Sequence, residues 1–470
     1  MKTRTVDVAV IGAGSAGLSA YRAARKLKDR VVLIEGGPYG TTCARVGCMP
    51  SKLLIAAAEA AHHAREAPLF GVRPGDVMID GAAVMRRVRS ERDRFVGFVV
   101  ESTESIPASD RINGYARFLD PKTLQIDEHT RVEAERIVIA TGSRPSRPAM
   151  FEAAGDRLVV NDDIFSWQRL PGSAAVFGPG IIGLELGQAL HRLGVRIRMF
   201  GRSGSLGPLS DPALRRLAKE IFSAEFALHT DASVESVERD GDQVVLRFRA
   251  DSDQIIEERF DYLIAATGRT PNVEKLALEN SGLKLDDRGV PVFDQQTMQC
   301  GDSHIFIAGD VNDELELLHE AADEGDIAGS NAASMPDVRP GHRRSKISIV
   351  FSDPQIALIG DTHAELDGSR FVIGEVDFGN QGRSRVMAQN RGLLHVYADP
   401  DSERFLGAEM IGPRAEHLAH LLAWSHQQEL TIPEMLEMPF YHPVIEEGLR
   451  TALRDAKAQM DQARQGKATA

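Results

Sequence analysis

The chain has 470 residues, a length that fits about three domains. Its formal net charge of −13 at pH 7 argues against non-specific binding to nucleic acid or an anionic membrane surface. No apolar run is long enough to cross a bilayer, and three cysteines in so long a chain fit a reducing, cytoplasmic setting better than a disulfide-stapled secreted one.

Lys2 and Arg4 before the apolar stretch 6–20 imitate a secretion signal, but Asp7 interrupts the stretch and three glycines suit a tight turn better. Residues 6–11 read as a buried parallel strand, and Gly12-Ala13-Gly14-Ser15-Ala16-Gly17 follows. A helix over 18–27 and a strand over 31–34, ending in Glu35, complete a dinucleotide unit. Gly12 permits the turn, Gly14 lets a pyrophosphate reach the backbone, and Gly17 lets helix pack on strand. Glu35 accepts from ribose hydroxyls.

The next stretch is Gly40-Thr41-Thr42-Cys43-Ala44-Arg45-Val46-Gly47-Cys48. A helix beginning here would bring the two sulfurs within bridging range and set Lys52 on the face of Cys48. If that helix starts near Cys48, its dipole and Lys52 both favour a thiolate. On spacing alone, two unrelated thiols, a structural bridge and a redox pair all remain open. A metal pair would use closer spacing and partner ligands, and no metal site is read.

Residues 51–65 and 82–104 read as packing helices around a Pro/Gly-punctuated loop. Strand-like pieces at 115–118, 123–126 and 137–140 end in Ala140-Thr141-Gly142-Ser143. After Arg144-Pro145-Ser146-Arg147-Pro148 the pattern repeats. A strand over 174–177 precedes Gly178-Pro179-Gly180-Ile181-Ile182-Gly183, a helix over 184–193 and a strand over 195–200. Two such units suggest two dinucleotides. The second lacks the acidic residue, because the interval that ends at Glu35 in the first lands here on Gly201, followed by Arg202. A carboxylate there would bind a 2′-hydroxyl and repel a 2′-phosphate; an arginine does the opposite.

Ala266-Thr267-Gly268-Arg269-Thr270-Pro271-Asn272 echoes the earlier A-T-G exit, and 304–311 is a strand running into Gly309-Asp310. His319 and Glu320 begin a helix ending near Ala333. From about 345 no phosphate loop appears. Strands over 347–351, 371–376 and 393–398 accompany helices near 417–428 and 446–457, and the charged, Ala-rich tail 450–470 reads as a fraying helix. Within this part lies Tyr441-His442-Pro443-Val444-Ile445-Glu446-Glu447.

Nearly end to end, these motifs resemble the class I pyridine nucleotide-disulfide oxidoreductases, of the dihydrolipoamide dehydrogenase type. The resemblance implies an α/β fold with two Rossmann-like dinucleotide-binding domains and a C-terminal α+β dimerisation domain. It divides the chain into an FAD-binding domain (1–146), an NAD(P)-binding domain (147–268), a return to the FAD part (269–344) and an interface domain (345–470). It makes Cys43 and Cys48 a redox-active disulfide and assigns the first phosphate loop to FAD. Ala116, Thr141, Gly142 and Asp310 would contact the flavin nucleotide, Asp310 at its ribityl chain, and Lys52 would pair with Glu185 beside the ring. Gly178, Gly180 and Gly183 would cradle the nicotinamide dinucleotide, with Gly268 nearby. His442 and Glu447 match the family's acid/base dyad, whose histidine reaches the partner subunit's disulfide and so requires a homodimer. Val444 replaces the family's usual threonine.

The implied activity is oxidation of dihydrolipoamide, free or on the lipoyl domain of a multienzyme complex, with hydride passing through FAD to NAD. Arg202 keeps NADP open, although the chain shows no cluster of arginines in the loop after the strand over 195–200, whereas NADPH-selective relatives of the glutathione-reductase type usually present one. An NADPH-dependent disulfide reductase of the glutathione-reductase type shares the frame. Mercuric reductases carry an extra C-terminal cysteine pair, and no cysteine follows Cys300 here. A non-catalytic, flavin-bearing docking subunit is the alternative from another class.

Overall fold

The first apolar run forms β1 (Lys2–Ile11), four residues longer at its start than the sequence pattern, in a computed structural model that describes residues 1–249 and 254–468. α1 (Ser15–Arg25) and β2 (Val31–Glu35) complete the unit, and α2 (Thr42–Val46), α3 (Cys48–Glu66) and α4 (Gly81–Glu104) follow. β3 (Arg111–Asn113), β4 (Ala116–Asp120), β5 (Thr123–Ile126) and β6 (Thr130–Ile139) close a sheet of order β3-β2-β1-β6-β5-β4. β1 runs parallel to both neighbours, from Val8↔Val31 to Ile11↔Ile34 on one side and Ile11↔Ile139 on the other. Val8, Ala9, Val10 and residues 31–34 are all but inaccessible, as expected of a strand covered on both faces.

β7 (Ser143–Pro145) leaves this sheet, and β8 (Leu158–Val160), α5 (Asn161–Ile164), β9 (Ser173–Phe177), α6 (Ile181–Arg192), β10 (Arg196–Phe200), α7 (Pro212–Ser223) and β11 (Ala227–His229) build the second unit. Three antiparallel strands, β12 (Ser233–Asp240), β13 (Gln243–Arg249) and β14 (Ile256–Phe260), then cover one face. The sequence pattern did not show them, because charged residues alternate along their solvent side. β15 (Tyr262–Ala265) returns between β9 and β8 in a parallel sheet of order β11-β10-β9-β15-β8. β16 (Arg269–Pro271) pairs antiparallel with β7, so the chain enters and leaves the second unit through one two-stranded ribbon. β17 (Ile305–Ile307) rejoins the first sheet beside β6, and α8 (Leu318–Ser334) lies across α1.

The C-terminal part is built from β18 (Ile347–Val350), β19 (Gln355–Gly360), β20 (Val372–Asp377), α9 (Gly382–Val386), β21 (Leu393–Ala398), β22 (Phe405–Gly412), α10 (Ala415–Gln427), α11 (Ile432–Leu436) and α12 (Glu446–Ala468). Its five strands form one antiparallel sheet of order β18-β19-β22-β21-β20. The tail read as fraying from Arg450 is instead an ordered part of α12. Leu449, Ala452, Leu453, Ala456 and Met460 are buried in the C-terminal core, and Arg464 donates to the Pro400 carbonyl at 3.2 Å and to Glu403 at 2.8 Å. Residues 469 and 470 of that expectation lie outside the described residues. Among the described residues no helix is long and apolar enough to cross a membrane.

Candidate active site

The redox stretch forms two helices rather than one. The Thr41 hydroxyl caps α2 by accepting from the Ala44 N–H at 3.3 Å, and Gly47 breaks the run so that Cys48 becomes the first residue of α3. Cys48 therefore stands at a helix N-terminus, where the dipole favours negative charge. Both sulfurs are thiols in the structure. The hydrogen bond between them holds Cys48 down to about 7, with the Lys52 charge helping against burial. The same hydrogen bond, then burial, pushes Cys43 well above the ordinary thiol range. One thiol is thus poised as thiolate and the other as its hydrogen-bond donor.

Lys52 turns from α3 toward α6, where its Nζ lies 2.8 and 3.0 Å from the two oxygens of Glu185. Glu185 is buried and also accepts from the Phe351 N–H at 2.9 Å, while Lys52 sits 4.6 Å from the Phe351 ring centre. Three parts of the chain meet in this one ion pair.

A cleft of about 1000 Å³ collects much of what the sequence singled out. Cys43, Cys48, Lys52 and Glu185 line it, with Gly14 and Gly142 from the first unit, Gly180 and Gly268 from the second, and Asp310 after β17. Asp310 accepts from the Ser143 hydroxyl at 3.1 Å. The loops fit phosphates: Gly14 and Gly180 are the N-caps of α1 and α6, neither helix has a side-chain cap, and a Cβ on either glycine would meet nothing within 4 Å. Gly12 and Gly17, by contrast, pack so closely that a Cβ on Gly17 would stand 1.8 Å from the Gly12 carbonyl oxygen; the Gly178–Gly183 pair repeats this at 1.9 Å.

Other singled-out residues lie outside the cleft. Glu35 is held by its own loop, accepting from the Ala13 and Gly37 N–H groups at 2.7 Å each. Ala116 is buried at the start of β4, and Thr141 spends its hydroxyl on the Asn272 carbonyl at 2.8 Å. Arg202 is exposed just beyond β10. His442 is 81% exposed, with its Nδ1 3.0 Å from Glu447. Burial would raise the Glu447 carboxyl, but hydrogen bonds from His442 and the Val444 N–H, with the Arg450 charge, hold it below the usual range.

Residues 6–325 match the model of the pyridine nucleotide-disulphide oxidoreductases, and 347–453 match that family's dimerisation domain. The chain belongs to this family. Family members are FAD- and NAD(P)-dependent enzymes. Among its relatives, a mercuric reductase of Shigella flexneri is 32% identical, over 95% of this chain and 80% of that one. Dihydrolipoyl dehydrogenase 2 of Haloarcula marismortui is 29% identical, over 97% and 98%. The flavoprotein disulfide reductase RclA of Escherichia coli, at 22% identity, shares the fold with a TM-score of 0.79 over 96% of this chain and 99% of that one. The matched dimerisation domain includes the His442–Glu447 pair.

One cleft residue and one neighbour of the Lys52–Glu185 pair escaped the list drawn from sequence. Arg269 donates to the Ser143 hydroxyl at 2.7 Å and carbonyl at 2.9 Å, fastening one A-T-G exit to the other. The echo of the two segments was visible, but not their contact. Phe351, over Lys52 and just beyond β18, stood out in the sequence only as the first residue of a Phe-Ser-Asp-Pro run that resembles the start of the dimerisation domain.

Proposed function

We propose that this oxidoreductase exchanges electrons between a small dithiol of the dihydrolipoamide type and a nicotinamide dinucleotide, by way of Cys43, Cys48 and FAD. The observation that carries the reading is the single cleft that joins both phosphate loops to a dithiol whose Cys48 thiol is held at about 7. Bound flavin supplies a two-electron carrier between that dithiol and the nicotinamide.

When the Cys43–Cys48 bridge is closed, a substrate thiolate attacks the Cys43 sulfur and displaces Cys48. Cys48 leaves readily because Lys52 and the start of α3 stabilise its thiolate, and the Cys43 thiol adds its hydrogen bond once the exchange has freed it. The second substrate thiol then attacks the substrate sulfur of the mixed disulfide, releasing oxidised substrate and the Cys43 thiolate, which takes up a proton. His442 takes the protons of the substrate thiols; one is returned to Cys43 and the other leaves to solvent. Because Nδ1 is held by Glu447, Nε2 is the nitrogen that moves the proton. His442 stands outside its own cleft, which supports a site completed by the histidine of a second subunit.

The 32% identical mercuric reductase supports a second reading, reduction of a soft metal ion, for which the chain offers in this cleft only the Cys43–Cys48 pair. Turnover of dihydrolipoamide with NAD or NADP, of oxidised glutathione with NADPH, and of Hg(II) with NADPH on the purified dimer ranks the readings. Dihydrolipoamide is expected to lead, and Cys48→Ser to abolish its turnover. Survival of that turnover in the variant would end the account of Cys43 and Cys48 as the redox pair, while absence of turnover with every substrate pair in the unaltered protein would favour the docking-only reading.

A further inference from the structure

The two dinucleotide units share one strand register and one hydrogen-bond pattern where each second strand ends. Ile11 pairs with Ile34 and Phe177 with Phe200, and the Gly12 and Gly178 N–H groups donate to the Ile34 and Phe200 carbonyls at 2.7 and 2.8 Å. Glu35 and Gly201 are therefore the same position, as are Ala13 and Pro179. In the first unit the Ala13 N–H holds the Glu35 carboxylate at 2.7 Å. In the second, Pro179 has no N–H to give. Gly201 has no room for a side chain either: a Cβ there would stand 2.7 Å from the Thr230 carbonyl oxygen and 2.9 Å from Pro179 Cγ. The backbone of Gly201 is pinned on both sides, its N–H on the His229 carbonyl at 2.7 Å and its carbonyl on the Ala232 N–H at 2.9 Å. The second unit has lost the carboxylate, its donor and the space for it.

Cations and hydroxyls occupy the surroundings. Arg202 follows directly and is exposed. Arg215 reaches in from α7 and donates through Nη2 to the Gly204 carbonyl at 2.9 Å, which sets a second guanidinium beside the loop although thirteen residues separate it from Arg202 in the chain. The Ser203 and Ser205 hydroxyls lie 3.0 Å apart on the same loop. The carboxylate across the loop is that of Asp231, whose backbone bridges to Arg202 and which is itself exposed. Asp211, at the start of α7, is buried and committed to the Ala213 N–H and to His395.

We propose that this loop reads a 2′-phosphate through Arg202 and Arg215, so that NADP(H) rather than NAD(H) is the dinucleotide of the second site. The proposal rests on the relay described above for what the nucleotide does, but not for whether it binds. A 2′-phosphate carries more than one negative charge at neutral pH and takes charge-assisted hydrogen bonds from guanidinium groups, while no carboxylate at position 201 repels it.

Isothermal titration of the flavin-loaded protein with 2′,5′-ADP and with 5′-AMP tests this without any dithiol turnover. The 2′-phosphorylated probe is expected to bind roughly tenfold tighter or better. Arg202→Gln and Arg215→Gln should each shrink that preference several-fold, and together erase it, with 5′-AMP binding held level in both as the sign of intact folding. Equal binding of the two probes overturns the proposal, as does a preference that survives in the double variant. Either failure leaves the relay standing, and a protein that turns over no dithiol yet prefers 2′,5′-ADP leaves the loop assignment standing.

Discussion

The two phosphate loops keep one steric frame and differ in what they read. In both, the first glycine has a positive φ (+109° at Gly12, +100° at Gly178), and a Cβ there would strike the carbonyl oxygen of the neighbouring A-T-G exit at 2.2 or 2.1 Å. In both, the third glycine lets the helix press on the turn. These contacts belong to strand–helix packing, and they hold whichever nucleotide is bound. The position proposed to face the ribose sits one residue beyond that frame, and there the loops part: Glu35 with its Ala13 donor against Gly201 under the Pro179 ring. A duplicated unit can change its ligand without touching its architecture, because packing and recognition fall on different residues.

The sharpest test of the shared frame places a methyl group where it says none fits. Gly17→Ala and Gly183→Ala each force a Cβ to within 2 Å of a carbonyl oxygen, and the loop must shift. Overpacking of this kind costs about 2 kcal/mol or more, roughly thirtyfold in binding. Gly17→Ala should purify with little flavin colour, while Gly183→Ala should stay yellow and lose affinity for nucleotide. If either substitution emptied both sites, the loops would be coupled through common packing, and the comparison as two independent units would fail.

A smaller effect separates the readers. Ala13→Pro copies the second loop into the first and removes the N–H that Glu35 accepts at 2.7 Å. A lost hydrogen bond to a charged group is worth about 1.5 kcal/mol at the low end, so flavin affinity should fall on the order of tenfold. The reverse change, Pro179→Ala, has no carboxylate to serve and should leave nucleotide affinity within about twofold. Flavin release followed by fluorescence, with nucleotide titration on the same samples, reads both. An unchanged flavin affinity in Ala13→Pro would mean that the Gly37 N–H alone suffices to hold Glu35.

The frame was legible in the sequence because glycine spacing, apolar runs and the cysteine stretch are local patterns, each confined to a few turns of chain. What was not legible depends on residues distant in sequence meeting in space. Arg215 approaches the second loop from α7, Arg269 fastens onto Ser143 across 126 residues, and the Phe351 N–H completes the partners of Glu185 across 166. The strands β12, β13 and β14 hid for another reason: their outward positions carry charges that pair across the strands, such as Arg247 with Glu238 and Glu257, so the alternation looks like solvated loop. The tail was misread because its apolar residues, Leu449, Leu453 and Met460 among the alanines, are few; yet they fall on one face, and that face is buried.

The two units touch where Lys52 of α3 meets Glu185 of α6, and that contact yields a further, partial effect. Lys52→Gln keeps a donor toward the buried carboxylate and removes the charge that helps hold the Cys48 thiol at about 7 rather than 9.0. The Cys43 hydrogen bond is the larger cause, so the midpoint should rise only part of the way. With the Cys48 thiol held at about 7, thiolate dominates above that pH, and pushing the thiol back up removes thiolate there. Alkylation of the reduced protein at pH 7 should therefore slow roughly threefold to tenfold, and the difference should close at high pH, where both proteins are fully ionised. Cys43→Ser offers the complementary reading, since its hydroxyl still donates and should hold Cys48 low. If the alkylation midpoint stayed put in Lys52→Gln, the start of α3 and Cys43 would account for the thiolate by themselves. Lys52 would then serve the redox centre through its contact with Glu185, and not by its charge on Cys48.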